Sequence, residues 1–440
     1  MKPSSAKASE FAARRAELMR RIGRDGVAIV PAAHEVIRAR DTHYRFRQHS
    51  DFQYLTGFPE PEALAVLAPG RKDGAFVLFV RPKDKEREIW DGRRAGPEGA
   101  KRHYGADQAY NLDQFETMLP QLLAGRDVVH YTLGEFPDLD ARITALVRHL
   151  REVSRRGAAA PTTFVALDNT LHEMRLLKRP LELQTLRRAA EVSAAAHVRA
   201  MRATKAGKYE WQIAAEIHAE FDAHDMQPGY GTIVGGGDNG CILHYVENNA
   251  RLKNGDLLLI DAGGELEGYT ADITRTFPVS GRFTPAQEAV YGVVLAAQKA
   301  AIREMKPGNS SGRPHEVATR VLTEGMVDLK LLRGDPKKLI AQGKHRQFYM
   351  HGTGHWLGMD VHDVGRYKLE EKPRPFEAGM VMTVEPGLYV APGTKGVPEK
   401  YWGIGIRIED DIVITKNGHE ILTGGVPKAP REIEKLMAAA

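Results

Sequence analysis

The sequence has little cysteine and no long apolar run. Its one cysteine, Cys241, cannot form an intramolecular disulfide, which favours a reducing compartment. No apolar stretch is long enough for a signal peptide or a membrane span, and the basic residues near the N-terminus are accompanied by Glu10 and Glu17. We therefore expect a cytoplasmic protein with no membrane partner, in which Cys241 is a small buried residue.

An excess of charge of one sign is also missing. The 62 Lys and Arg residues and 57 Asp and Glu residues leave a formal net charge of only +5, and the two signs are interspersed. This pattern argues against a nucleic-acid partner, and we interpret the pair Arg14-Arg15 as a solvated helix face. Hydrophobic residues make up 42% of the chain, as in ordinary globular proteins. At 440 residues the chain is too long for one core, so we expect two domains.

Apolar runs predict the organisation of the first domain. Residues 27–30, 64–67 and 76–80 have the composition of buried strands, and helical stretches separate such runs, which indicates a mixed α/β domain. Residues 151–161 combine basic residues, glycine, alanine and proline and are typical of a surface connection. Beyond them, Pro180 begins a long amphipathic helix. We predict an α/β protein with domains at residues 1–174 and 175–440.

The second domain contains an internal repeat. Residues 255–263 and 379–387 both consist of a glycine, a hydrophobic run, an acidic residue, one further residue and a glycine. The acid is Asp261 in the first copy and Glu385 in the second, at the same position after the leading glycine. Such a repeat predicts two similar α/β halves related by a pseudo-twofold axis.

The first copy is expected to begin a hairpin that brings two carboxylates together. Two strand-like runs flank a glycine-rich turn. A turn centred between Leu266 and Glu267 would set Asp261 directly opposite Asp272. Opposed residues have Cβ atoms roughly 5 Å apart, so the two carboxylates would repel each other unless a cation lay between them. The sequence therefore predicts a metal site at this hairpin.

The second half supplies further candidate site residues. Arg407 and Glu409 are two apart on a strand-like run and share a face, where the guanidinium would offset excess carboxylate charge. His351 and His355 have the four-residue spacing of a helical zinc motif, but the glycines between them argue against a helix. An extended segment would deliver these imidazoles instead. Each histidine alone would more often be structural, as would His362; beside four correctly spaced acids, a functional role is favoured.

These residues resemble the metal-dependent pita-bread peptidases, a fold family that includes methionine aminopeptidase, prolidase and aminopeptidase P. The family motifs are matched by LLLIDAGGE, YTADITRTFP, HGTGHWLGMDVHDVG, MTVEPGLYV and IGIRIEDDIVIT. The resemblance implies the metal ligands Asp261, Asp272, His355, Glu385 and Glu409. It also implies substrate-handling roles for His244, within GCILHYVENN, and for His351 and His362. Because of its charge, we add Arg407 to the catalytic candidates.

Within this family the chain is most similar to bacterial aminopeptidase P, from about residue 25 to the C-terminus. Three segments outside the ligands carry this similarity: YRFRQHSDFQYLTGFPEPEA at 44–63, WDGRRAG at 90–96 and MRLLKRPLEL at 174–183. Methionine aminopeptidases generally lack the corresponding domain. The resemblance implies a creatinase-like N-terminal α/β domain, a C-terminal pita-bread domain, and release of the N-terminal residue from Xaa-Pro-Yaa peptides.

Specificity for proline is implied by the resemblance alone. An imino nitrogen has no N–H group, so the pocket must accept the proline ring by its shape. His351, Tyr389 and Trp90 are candidate walls and Asp51 is a further candidate substrate contact, whereas we interpret Tyr230 as core packing. Lip residues such as Trp90 can be supplied across subunits in this family, so we expect a homo-oligomer, either a dimer or a tetramer.

The predicted donor set suits divalent cations. Sites rich in carboxylate with one imidazole favour Mn²⁺, Co²⁺ or Fe²⁺ over structural zinc, and the resemblance favours two Mn²⁺ ions, with Zn²⁺ as a further alternative. A water bridging two such ions would have its pKa lowered from 15.7 to about 7, giving a hydroxide nucleophile. We expect Glu385 to take its proton and pass it on, and His244 or His362 to stabilise the oxyanion or the leaving nitrogen.

Three rival interpretations share this fold. Prolidase has the same ligands but cleaves Xaa-Pro dipeptides, and the segment at 44–63 argues against it. A non-catalytic pita-bread protein would typically have lost ligands, whereas all five are present here. Metal-independent, creatinase-like chemistry would leave the four acids unexplained.

Overall fold

The computed structural model describes residues 3–156 and 159–439. It divides into two compact units, Met1–Arg175 and Leu176–Ala440, and this boundary lies one residue from the position expected from the sequence. Residues 157 and 158 of the predicted connection lie outside the described residues, as do residues 1, 2 and 440 of the predicted domains.

The N-terminal unit alternates strands and helices. The strands are β1 (Gly26–Pro31), β2 (Ile37–Ala39), β3 (Thr42–His43), β4 (Leu64–Leu67), β5 (Phe76–Val80), β6 (Gln108–Asn111), β7 (Val128–His130) and β8 (Thr163–Val165). The helices are α1 (Ser5–Ile22), α2 (Ser50–Thr56), α3 (Lys85–Asp91), α4 (Gly96–Tyr104), α5 (Phe115–Leu123), α6 (Pro137–Val153) and α7 (Asp168–Leu176), of which α7 ends one residue beyond the boundary.

Six of these strands form one mixed sheet in the order β6-β5-β4-β1-β7-β8. The three apolar runs identified in the sequence are its neighbours β1, β4 and β5, and each is almost wholly buried. Strands buried on both faces need apolar residues at every position, which explains these continuous hydrophobic runs. The interpretation of Arg14-Arg15 as a solvated face is wrong, since both side chains are buried and the Arg15 guanidinium lies 4.0 Å from the centre of the Phe76 ring.

The C-terminal unit begins with helices and continues with short strands. The helices are α8 (Pro180–Ala203), α9 (Glu210–Asp222), α10 (Pro285–Arg303), α11 (Arg313–Asp328), α12 (Pro336–Ala341) and α13 (Pro430–Ala438). The strands are β9 (Gln227–Pro228), β10 (Ile233–Gly236), β11 (Leu257–Asp261), β12 (Gly264–Leu266), β13 (Tyr269–Thr270), β14 (Thr274–Pro278), β15 (Lys368–Leu369), β16 (Lys372–Pro373), β17 (Val381–Val384), β18 (Gly387–Val390), β19 (Ile404–Arg407), β20 (Asp410–Thr415) and β21 (Gly418–Ile421). Among the described residues, no helix of either unit has both the length and the apolar composition to cross a bilayer.

Two similar strand arrangements repeat within the C-terminal unit. In the first half, β11 pairs antiparallel with β14, and β12 with β13. In the second half, β17 pairs antiparallel with β20, and β18 with β19. The leading glycines of the sequence repeat, Gly255 and Gly379, both have a positive φ, of 94° and 98°, just before β11 and β17. The repeated glycine is therefore explained by a left-handed backbone position that residues with a Cβ rarely adopt.

The predicted register of the first hairpin is wrong by two residues. Its turn consists of Glu267 and Gly268, with φ of 54° and 87°, as in a type I′ turn, and is centred one residue later than expected. Asp261 is therefore opposite Thr274 rather than Asp272. A shift of two residues leaves every side chain on the same face of the hairpin, so the two aspartates still point to one side.

Candidate active site

One pocket of the C-terminal unit is lined by nine of the predicted site residues. Its volume is about 450 Å³. The predicted residues in its wall are Asp261, Asp272, His355, Glu385, Glu409, His244, His351, His362 and Arg407. Apolar residues also line the pocket, among them Ile233, Leu243, Val246 and Val361. The pocket lining thus combines concentrated acidic and imidazole groups with apolar side chains.

The internal repeat explains how four acids reach this pocket. Asp261 is the last residue of β11, and Glu385 follows β17 directly. Asp272 lies in the break between β13 and β14, and Glu409 lies in the break between β19 and β20. Each half therefore contributes one acid at the end of an outgoing strand and one at an interruption of the returning strand.

His355 lies between the acids of the two halves. Ligand atoms of Asp272, His355 and Glu409 all lie within 4.8 Å of one another. The Nε2 atom of His355 is 3.4 Å from Asp272 Oδ2 and 3.6 Å from Glu385 Oε1. Its Nδ1 atom donates to the carbonyl of Trp356 at 3.0 Å, so Nε2 is the nitrogen that faces the acids. As predicted, no helix spans His355 and the residues just before it.

Tyr230 belongs to the site, and its interpretation as core packing is wrong. Its hydroxyl lies 2.7 Å from Asp261 Oδ1 and 2.5 Å from Asp272 Oδ1. Burial, followed by the charges of these two aspartates, raises the pKa of Tyr230 well above its usual value, so the phenol stays protonated and its single O–H is shared between the two carboxylates. No spacing rule connects Tyr230 with acids that are 31 and 42 residues away.

A hydrogen-bonded chain runs from Arg407 through Tyr389 to His351. Arg407 Nη2 donates to Asp261 Oδ2 at 2.6 Å, and Nη1 donates to the Tyr389 hydroxyl at 3.1 Å. His351 Nδ1 donates to the Gly352 carbonyl at 2.7 Å, so His351 Nε2, 2.8 Å from the Tyr389 hydroxyl, accepts from it. Burial and the Arg407 charge lower the pKa of His351 to about 4. His351 is therefore neutral at pH 7 and presents its ring to the pocket.

The protein alone does not neutralise its crowded carboxylates. Burial raises the pKa of Glu385 to about 7 and the pKa of Glu409 well above its usual value, and burial also raises the pKa of Asp261. The Arg407 guanidinium opposes these increases, and His355 also opposes the increase at Glu385, but two positive charges cannot balance four carboxylates. Four carboxylates and an imidazole, without a thiolate, are a donor set that fits hard divalent cations. Two such cations, Arg407 and one hydroxide would bring the cluster near neutrality.

Two predicted substrate contacts are not among the residues that line this pocket. Trp90, on α3 of the N-terminal unit, is 84% exposed. Asp51, on α2, is buried, and its carboxylate contacts Arg175 Nη1 at 2.7 Å and His172 Nε2 at 3.2 Å. Asp51 is therefore paired with residues of its own unit, which the sequence did not predict. Tyr389, the third predicted contact, lies directly behind His351.

The fold and the site together define a metal-dependent hydrolase with an added N-terminal domain. Residues 184–416 match the model of metallopeptidase family M24, and residues 11–130 match the aminopeptidase P N-terminal domain. The chain belongs to metallopeptidase family M24. The predicted fold class, with a creatinase-like domain before a pita-bread domain, is confirmed.

The chain is similar to known proteins over nearly its whole length. The Xaa-Pro aminopeptidase of Escherichia coli is 48% identical over 98% of each chain, and that of Haemophilus influenzae is 42% identical over 97% of each. The structure of Pseudomonas aeruginosa aminopeptidase PepP superimposes with a TM-score of 0.97 at 52% identity, covering 98% of each chain. Zn-substituted E. coli aminopeptidase P in complex with product gives a TM-score of 0.96 at 47% identity, covering 100% of this chain and 99% of that one. The predicted resemblance to aminopeptidase P is confirmed, and prolidase is the less supported alternative.

A buried histidine behind Asp261 makes stability depend on pH. His197, on α8, is fully buried, and its Nε2 donates to the Ala262 carbonyl at 2.9 Å. Burial lowers its pKa from 6.5 to about 4, so the unfolded chain binds more protons below pH 6.5. Stability due to this group is therefore present above pH 6.5 and is lost as the pH falls toward 4.

His197→Gln keeps a donor and removes the titration. Between pH 7 and pH 5, we expect the free energy of unfolding of the unsubstituted protein to fall by about 2 kcal/mol more than that of the variant. Urea unfolding at the two pH values measures this difference. Equal losses in the two proteins would show that His197 does not titrate as the burial implies.

Proposed function

We propose that this metallopeptidase is a Xaa-Pro aminopeptidase, which releases the N-terminal residue from peptides with proline in the second position. The observation that carries the proposal is the pocket itself, whose lining combines five acid and imidazole side chains with a neutral His351 and several apolar side chains. Full-length similarity to named Xaa-Pro aminopeptidases supports the same substrate class.

Asp261, Asp272, His355, Glu385 and Glu409 would hold the metal. We propose two ions per chain and Mn²⁺ as the native metal, with Co²⁺, Fe²⁺ or Zn²⁺ as alternatives. When bound, these cations supply a hydroxide nucleophile at neutral pH, by lowering the pKa of water from 15.7 to about 7. The buried carboxylates and the Arg407 charge fix the electrostatic environment in which this occurs.

Glu385 is suited to move the proton. Its carboxylate lies between two imidazoles, with Oε1 3.6 Å from His355 Nε2 and Oε2 3.9 Å from His351 Nδ1. A side chain in this place can accept a proton from the attacking water and deliver it to the leaving nitrogen. Because an amide nitrogen that is not protonated is a poor leaving group, this proton is needed for the C–N bond to break.

His362 and His244 are positioned to donate to the developing charges. Both line the pocket and are exposed to it, and the His362 ring lies 4.4 Å from the His355 ring, edge to face. Burial and the neighbouring His355 lower the pKa of His362, which favours the neutral ring with one N–H. That N–H can stabilise the oxyanion or the leaving nitrogen through a hydrogen bond.

Proline would be recognised by shape rather than by hydrogen bonding. Both nitrogens of His351 are already engaged, so its ring offers a flat wall, with Tyr389 holding it from behind. The apolar side chains of Leu243, Val246 and Val361 line the same pocket. A pyrrolidine ring, which has no N–H to satisfy, is compatible with such a surface.

We further propose a cytoplasmic homo-oligomer, either a dimer or a tetramer. The single cysteine favours a reducing compartment. Trp90 is exposed on α3 and would contact the substrate from a neighbouring subunit. Asp51 could contact the substrate only if its buried ion pair with Arg175 breaks.

The function is tested by comparing a tripeptide with a dipeptide. Metal-stripped protein restored with Mn²⁺ should hydrolyse Xaa-Pro-Yaa at least about tenfold faster than Xaa-Pro, with Xaa-Ala-Yaa as the matched control for proline. Preference for the dipeptide would identify a prolidase. Absence of metal-dependent hydrolysis, with fewer than one ion bound per chain, would identify a binding protein.

Tyr230→Phe tests whether the Tyr230 hydroxyl contributes to metal affinity. The variant keeps the ring and removes the hydroxyl that donates to Asp261 and Asp272. Groups that orient metal ligands in this way typically contribute 10–100-fold to metal affinity, so we expect a loss of about that size. Calorimetric titration of metal-stripped protein with Mn²⁺ measures it, with Tyr209→Phe, at an exposed position, as the control. Unchanged affinity would leave Tyr230 without a role at the metal centre.

A further inference from the structure

A fully buried ion pair lies behind the loop that carries His362. Lys178 Nζ donates to Asp363 Oδ2 at 2.8 Å, and both side chains are 1% exposed. Removing two charges from water is expensive, and a buried pair often stabilises a fold no better than apolar residues would. In some proteins such a pair fixes one particular conformation.

The position of the Lys178 ammonium is tightly defined. The backbone N–H of Lys178 donates to the Gly379 carbonyl at 2.9 Å, just before β17. A Cβ at Gly358 would lie 2.1 Å from Asp363 Oδ2 and 2.8 Å from Lys178 Cε, so the pair packs directly against a bare backbone. The ion pair in this position therefore requires a glycine at residue 358.

The loop between His355 and Asp363 is held at its two ends by different contacts. At the first end, the His355 carbonyl accepts from Thr383 N at 3.0 Å, and His355 N donates to Thr383 Oγ1 at 3.1 Å, which attaches this histidine to β17. At the second end, Asp363 N donates to the Trp356 carbonyl at 2.9 Å. The Asp363 side chain is buried beside Lys178, whereas the neighbouring His362 faces the pocket.

We propose that Lys178 is a positioning residue for the reaction: by holding Asp363, it fixes the imidazole of His362 at the place where charge develops. This inference rests on the proposed function and adds to it a residue that touches neither substrate nor metal ligand. Asp363 N and His355 Nδ1 both donate to the Trp356 carbonyl, but His355 is also attached to β17 through Thr383. Loss of the Lys178–Asp363 pair therefore displaces His362 more than His355 and leaves metal binding intact. Since His362 acts on the developing charge, the displacement lowers kcat more than it raises KM.

The test replaces both members of the pair, so that no unpaired charge stays buried. We expect Lys178→Met with Asp363→Asn to lower kcat for Xaa-Pro-Yaa by about tenfold or more, with KM changed less than about twofold. Bound Mn²⁺ per chain and the midpoint of thermal unfolding should stay near those of the unsubstituted protein. In a His362→Ala background, the same two substitutions should change kcat by less than about twofold, because the residue through which they act is gone.

A matched control uses an ion pair of the same unit away from the pocket. Arg187 and Glu420 are 2.8 Å apart and about 40% exposed, and Arg187→Met with Glu420→Gln should leave kcat unchanged. An unchanged kcat in the folded Lys178–Asp363 double variant overturns the proposal. The proposal is also overturned if the double substitution lowers kcat by the same factor in the His362→Ala background as in the unsubstituted protein. Should the double variant not fold, Lys178→Arg keeps the charge pair while displacing it, and an unchanged kcat in that variant overturns the proposal equally.

The activity of the unsubstituted protein distinguishes failure of the proposed function from failure of the role of Lys178. If the unsubstituted protein does not hydrolyse the tripeptide, the proposed function fails, and the role of Lys178 fails with it. If the unsubstituted protein is active and the variants respond as the control pair does, only the role of Lys178 is overturned.

Discussion

Replacing Asp272 with asparagine is expected to lower kcat/KM for a Xaa-Pro-Yaa peptide by at least about 1000-fold. Asp272 lies within 4.8 Å of ligand atoms of His355 and Glu409 and accepts from Tyr230. Asparagine has nearly the same shape but no charge, so the variant loses a metal ligand without leaving a cavity. Bound Mn²⁺ per chain should fall together with activity.

A matched control for this change is Asp222→Asn, at the exposed end of α9 in the same unit. It should retain full activity and metal content. Circular dichroism and the unfolding midpoint would establish that the Asp272 variant is folded. Activity within about tenfold of the unsubstituted protein would contradict a centre built on this carboxylate.

Glu385→Gln should lower kcat by more than about 100-fold, a loss at the low end of that expected for general acid–base catalysis. Its carboxylate lies against both His351 and His355, and its burial raises the pKa to about 7 in the metal-free protein. The amide fills the same space but cannot accept a proton. Because Glu385 is also a proposed ligand, kcat should be measured at saturating Mn²⁺ with the bound metal determined in parallel.

Glu267→Gln is the control for the glutamate, since Glu267 is exposed at the tip of the first hairpin. This variant should have the kcat of the unsubstituted protein. A Glu385→Gln variant that binds metal normally and loses less than about tenfold in kcat would remove Glu385 from the proton path and leave it a ligand only.

The parts of the site that local pattern determines could be predicted from the sequence. In each repeat a glycine, an apolar run and an acid are neighbours in the chain, so one pattern fixes a turn, a strand and the carboxylate at its end. Asp261 and Glu385 occupy the corresponding positions in the structure. The glycines around His351 and His355 likewise excluded a helix without any knowledge of tertiary structure.

The parts that depend on distant contacts could not be predicted. The register of the first hairpin follows from a positive φ at Glu267, which a non-glycine residue rarely adopts. Tyr230 reaches the aspartates from a separate segment of the chain. Arg15 is buried because the ring of Phe76 and the carbonyl of Leu55 receive its guanidinium, and neither partner is near it in sequence.

The two hairpins with corresponding acids also have a thermodynamic consequence. Because each half supplies two carboxylates to one cluster, a cation bound there joins parts of the chain that would otherwise repel each other. Any ligand that binds the folded chain alone adds RT ln(1 + [L]/Kd) to its stability, about 2.7 kcal/mol when free metal is at a hundred times its Kd. The supply of free metal would then govern how long the chain survives proteolysis, in addition to how fast it turns over peptides.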